Sequence, residues 1–123
     1  MSTFRKGSAL VILIAIVSLV AAMSAFGGSS STDVTTLSVT LGKPSELKIT
    51  ISKKTIGKGA TTFKVTNKGA LSHDFKIAGK RTVLLKPGKI VTLKVTLKAG
   101  KYVYLCTVPG HAAAGMKGIL TAK

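Results

Sequence analysis

The stretch Cys106-Thr107-Val108-Pro109-Gly110-His111-Ala112-Ala113-Ala114-Gly115-Met116 places a thiolate, an imidazole and a thioether on one short segment, at C-x4-H-x4-M spacing. The chain has one cysteine, Cys106, and only one further histidine, His73. Two imidazole nitrogens and a thiolate in a trigonal plane, with a long and weak axial thioether, form the donor set of an electron-transfer copper site. His73, Cys106, His111 and Met116 would complete one such set, leaving no His or Cys over.

Outward from this loop, the sequence alternates. Tyr102, Tyr104 and Cys106 lie in one register, and Val91, Leu93, Val95 and Leu97 form the longest row. The same period of two recurs in Leu37, Val39 and Leu41, in Leu47, Ile49 and Ile51, in Phe63 and Val65, and in His73, Phe75 and Ile77. Turn-forming clusters separate the rows: Gly42-Lys43-Pro44-Ser45, Gly57-Lys58-Gly59, Asn67-Lys68-Gly69, Lys86-Pro87-Gly88 and Ala99-Gly100. About six or seven short strands with this spacing predict an antiparallel β-sandwich, with Thr and Lys at outward positions. His73 shares the phase of Phe75 and Ile77 and so points inward, as does Cys106 with its two tyrosines. No segment after the linker has a helical period.

The N-terminal part has a different composition. Arg5 and Lys6 precede a nearly continuous apolar run from Ala9 to Ala22. Residues 1–26 are expected to be a helical export leader, either a cleaved signal peptide or a retained membrane anchor. No cysteine lies near it, which excludes a lipid-modified lipoprotein. Residues 27–35, opening Gly27-Gly28-Ser29-Ser30-Ser31-Thr32, are of flexible linker composition. Residues 36–123 remain as one domain, expected to act outside the cytoplasm, in the periplasm or at the cell surface, secreted or anchored. There an unpaired thiol is a liability unless it has a task.

From Thr36 to Lys123 the chain resembles the cupredoxins, the small type 1 blue copper proteins. The resemblance rests on Asn67-Lys68-Gly69 leading into Ser72-His73-Asp74-Phe75, on Leu85-Lys86-Pro87-Gly88, on Gly100 through Cys106, and on Met116-Lys117-Gly118 with a final strand Ile119–Ala122. The spacing of four residues between Cys106 and His111 is more similar to rusticyanin and auracyanin loops than to plastocyanin's. The resemblance implies a Greek-key sandwich and His73, Cys106, His111 and Met116 as ligands of one copper ion cycling between Cu(I) and Cu(II). Asp74, directly after His73, and Thr107, directly after Cys106, are expected just outside the ligands. In cupredoxins a side chain at the Asp74 position commonly ties the two ligand loops together, but it is usually Asn or Ser. A carboxylate there would lower the reduction potential.

The implied activity is one-electron carriage between redox partners. The alternative is copper delivery, in which the ion itself is handed to an acceptor. Methionine-rich and histidine-rich tracts, common in copper transport, are absent. An enzyme is not expected: a second, catalytic copper centre needs further histidines, and a dinuclear electron-transfer centre needs a second cysteine. A three-ligand catalytic zinc site is the weaker fit to a set that includes Met116. Without Arg5 and Lys6, 17 basic residues face Asp33, Glu46 and Asp74, a net charge of about +14. That charge suits redox partners with acidic docking surfaces, or an anionic membrane surface. Nucleic-acid binding is not expected, because recognition motifs are lacking and only six aromatic residues are present. A monomer is expected.

Overall fold

The computed structural model describes residues 33–123, so the expected leader with its helix, and the linker as far as Thr32, lie outside the described residues. Nine strands follow: β1 (Thr35–Leu41), β2 (Ile49–Ile51), β3 (Thr55–Ile56), β4 (Gly59–Asn67), β5 (Lys76–Ile77), β6 (Lys80–Arg81), β7 (Ile90–Leu97), β8 (Gly100–Leu105) and β9 (Lys117–Ala122). They form two sheets, ordered β2-β1-β4-β7 and β3-β9-β8-β5-β6. Among the described residues there is no α-helix.

The sandwich is all-β as expected, but it is not purely antiparallel. β1 runs parallel to β4, with Leu37 opposite Phe63 and Leu41 opposite Asn67, and β3 runs parallel to β9. The remaining pairings are antiparallel. Alternation tells which face of a strand is buried and carries no information about the direction of its neighbour. The strand count exceeds the expected number because β3 and β6 have two residues each, too few to alternate visibly, while the row His73-Phe75-Ile77 contributes only the two-residue β5.

The inward rows meet between the sheets. Leu37, Val39, Leu41, Phe63 and Val65 from the first sheet and Ile77, Tyr104, Leu120 and Ala122 from the second are buried. Phe75 links the layers, its ring centroid 5.4 Å from Phe63 and 5.8 Å from Tyr104. β7 follows its predicted phase, yet only Val95 and Leu97 are fully covered, while Val91 and Leu93 are half-buried. β7 is an edge strand, so the opposite sheet does not reach across its whole length.

The register brings the connections that matter to one end. β1 ends at Leu41 opposite the end of β4 at Asn67. β7 starts at Ile90 beside Thr66, and β8 ends at Leu105 opposite the start of β9 at Lys117. Segments 42–48, 68–75, 82–89 and 106–116 therefore emerge at strand ends held in common register within each sheet. The backbone bridge between His73 and Leu85 and the contact of His73 with Cys106 join them across the sandwich.

Two substitutions probe this packing. Phe63→Ala is expected to destabilise the chain by about 3–5 kcal/mol, since it opens a cavity beside Phe75. Gly118→Ala would drive a Cβ into the Tyr104 ring, which lies directly across Gly118 from the neighbouring strand. Its expected cost is about 1–3 kcal/mol. Denaturant unfolding followed by circular dichroism measures both.

Candidate metal centre

Cys106 follows the last residue of β8 and keeps the inward phase of Tyr104, which makes it fully buried. Its N–H donates to the Met116 carbonyl at 3.1 Å, closing the base of the loop. Within the loop the His111 N–H donates to Val108 O at 3.0 Å, and the Met116 N–H to His111 O at 3.0 Å. This tight coil folds His111 back over Cys106 and returns Met116, also fully buried, to the level of the cysteine. The C-x4-H-x4-M spacing is thus the length of one closed coil with the histidine at its midpoint.

His73 reaches the same place from the other side. It is fully buried in phase with Phe75 and Ile77, as the alternation implied, but it does not lie on a strand. An isolated antiparallel bridge holds it instead, with His73 N–H donating to Leu85 O at 3.1 Å and Leu85 N–H to His73 O at 2.8 Å. Asn67, at the end of β4, braces this bridge. Its Nδ2 donates to Leu71 O and Leu85 O, both at 2.8 Å, and its Oδ1 accepts the Gly69 N–H at 2.9 Å.

Three donor atoms converge. The Nδ1 atoms of His73 and His111 are 3.1 Å apart, and Cys106 Sγ lies 3.9 Å from the first and 3.6 Å from the second. The circle through these three atoms has a radius of about 2.1 Å, matching metal–imidazole lengths of ~2.0–2.1 Å and close to the metal–thiolate length of ~2.3 Å known for zinc. A hydrogen-bonded histidine pair would account for the 3.1 Å contact but not for a thiol equidistant, within a few tenths of an ångström, from both rings. Burial pushes the Cys106 thiol above its ordinary pKa, opposed by backbone groups of Asp74 and Val108 and reinforced by the Asp74 charge. A metal ion bound there would have to displace the thiol proton.

The residues flanking the ligands lock the two segments together. Asp74, 4% exposed, accepts the Thr107 N–H at 2.5 Å through Oδ1 and the Thr107 hydroxyl through Oδ2. The residue after His73 is thus bonded to the residue after Cys106.

One participant escaped the sequence reading. Glu46, in the β1–β2 connection, accepts from the Ala70 N–H through Oε2 and the Leu71 N–H through Oε1, each at 2.8 Å. Its Oε1 also lies 2.7 Å from His73 Nε2. The two backbone donors, helped by His73 and opposed by desolvation, lower its pKa from 4.5 to about 2. Its sequence neighbourhood holds no motif. The available signal was compositional: a chain with 19 basic residues has only three acidic ones, so each of these is conspicuous.

A family model described as copper binding proteins, plastocyanin/azurin family, matches residues 36–123. Among curated proteins, none matches the chain at a significant level. Solved structures resemble it over most of its length. Auracyanin from Roseiflexus castenholzii is 25% identical with a TM-score of 0.53, over 73% of this chain and 96% of that one. Auracyanin A of Chloroflexus aurantiacus, described as a blue copper protein, is 21% identical with a TM-score of 0.59, over 73% and 99%. Rusticyanin from Thiobacillus ferrooxidans is 25% identical with a TM-score of 0.59, over 73% and 77%. With its His–Cys–His–Met cluster suited to a single copper ion, the chain belongs to the plastocyanin/azurin family of copper-binding proteins.

Proposed function

We propose that this protein is a type 1 copper electron carrier working outside the cytoplasm, whose copper ion would be held by His73, Cys106, His111 and Met116. The observation that carries this reading is the convergence of Sγ and two Nδ1 atoms on a circle of ion-sized radius, with Met116 buried alongside. Copper bound there supplies one-electron exchange between its cupric and cuprous states.

The chain's own residues suit that task in three ways. Asn67, Leu85 and Glu46 hold His73, Thr107 and Asp74 join its segment to the cysteine loop, and backbone bonds close the loop itself. Ligands held this firmly keep one arrangement when the ion's charge changes. Burial of His73, Cys106 and Met116 excludes water from most of the site. His111 is half-buried among exposed Pro109, Gly110, Ala113 and Ala114, which makes its ring edge the route for electrons to a docked partner.

The surface supports an acidic partner. Of the three side-chain carboxylates, Glu46 and Asp74 are bonded within the site, and Asp33 alone is left to offset the 17 lysines and arginines that follow Lys6. Among the described residues no lysine or arginine forms a side-chain ion pair with a carboxylate. A uniformly cationic surface speeds encounter with acidic partners, and salt weakens the effect. The apolar leader of residues 1–26 supports export.

Adding Cu(II) to the full chain should produce an intense visible band that a reductant bleaches and an oxidant restores. Cys106→Ser is expected to abolish that band, while Met116→Gln should keep a coloured site at a lower potential. A Cys106→Ser variant that stays blue would overturn the ligand assignment. The docking face is tested with Ala113→Glu, using an acidic cytochrome and an uncharged small oxidant in parallel. Transfer to the cytochrome should fall about tenfold or more and lose part of its salt dependence, with the small oxidant little affected. Equal rates in wild type and variant would place docking elsewhere.

A further inference from the structure

Glu46 occupies a place that the four-ligand reading leaves without a role. Its carboxylate takes two backbone N–H groups, which can only donate, and meets His73 Nε2 at 2.7 Å through the oxygen that also holds Leu71. An ionised carboxylate can only accept. The proton of the His73 contact therefore belongs to Nε2, and in the neutral ring Nδ1 is left with the lone pair, facing Cys106 Sγ and His111 Nδ1.

The surrounding backbone is built to allow this contact. A Cβ on Gly69 would stand 2.5 Å from Glu46 Oε1 and 2.9 Å from His73 Nε2, so a side chain there would displace the pair. Gly42, at φ 79°, in turn presses against the Gly69 backbone, where its own Cβ would collide. The Gly42 N–H donates to Lys48 O at 2.9 Å, closing the turn that carries Glu46. Two glycines from different connections thus leave the space through which the carboxylate reaches a fully buried ring.

The geometry points to Glu46 as the positioning residue of the copper site, selecting the Nδ1-donor tautomer of His73 and lowering the reduction potential by placing an anion behind that ring. A histidine whose outer N–H is given to a carboxylate is oriented and made a stronger donor. The added negative charge favours the cupric state over the cuprous one. The competing explanation is that Glu46 only clamps residues 70 and 71. The inference rests on the copper-carrier reading, so the experiment must separate the two.

Glu46→Gln in the full chain keeps the size of the side chain and removes its charge. Cu(II) affinity is expected to fall about 10–100-fold, with Cu(I) affinity falling less. Each tenfold difference between the two raises the potential by about 59 mV. A variant with reduced thermal stability but the wild-type potential would overturn the proposal and leave Glu46 a loop clamp. Independently of any variant, ¹⁵N shifts of the metal-free wild-type chain report the His73 tautomer. Protonated Nε2 with bare Nδ1 is expected, and the reverse tautomer would overturn the proposal whether or not Glu46→Gln folds. A wild-type chain that takes up copper without a bleachable band overturns the carrier reading instead, and the tautomer result stands apart from it.

Discussion

A fully buried imidazole must have both ring nitrogens satisfied, and at His73 that requirement organises the whole end of the molecule. The ring is carried by a segment with no strand of its own, so ordinary sheet hydrogen bonds cannot hold it. Its backbone borrows Leu85, its Nε2 takes Glu46, and its Nδ1 is left facing His111 and Cys106. Asn67 then becomes necessary, because the chain between β4 and the bridge must turn with its polar groups bonded. One side-chain amide bonds residues 69, 71 and 85. Among the described residues every buried side-chain nitrogen and oxygen has a partner.

The sandwich makes this possible through its parallel pairs. Because β1 and β4 run the same way, their C-terminal ends lie together, and the connections that follow them bring Glu46 and His73 to one place. In an antiparallel arrangement of the same two strands those connections would leave from opposite ends. The loop from Cys106 to Met116 completes the site from the other sheet, closed by a backbone bond between its first and last residues. The aromatic contacts from Phe63 through Phe75 to Tyr104 tie the sheets together beneath it.

The distribution of charge follows from the same demand. Two of the three carboxylates are tied into the site, buried Asp74 to join the ligand segments and half-buried Glu46 to hold the imidazole. Committed to these bonds, neither pairs with a lysine. The internal architecture of the site and the cationic exterior are therefore linked in a chain so poor in acidic residues.

By itself the sequence determined the all-β class, the inward faces of the strands, the family and the residues that could bind copper. These are written in local terms: a period of two, turn residues between rows, and three donors at the spacing of one closed coil. The phase of alternation also told that His73 and Cys106 point inward, since side-chain direction depends only on parity along the strand. Tertiary structure decided the rest. The parallel direction of β1 and β4, the partial exposure of β7 at its edge, and the meeting of Glu46 with His73 over 27 residues of chain leave no local trace. Each depends on which segments become neighbours, and parity is silent about that. Only the folded chain reveals why Gly42 and Gly69 lack side chains, because what they make room for comes from elsewhere in the sequence.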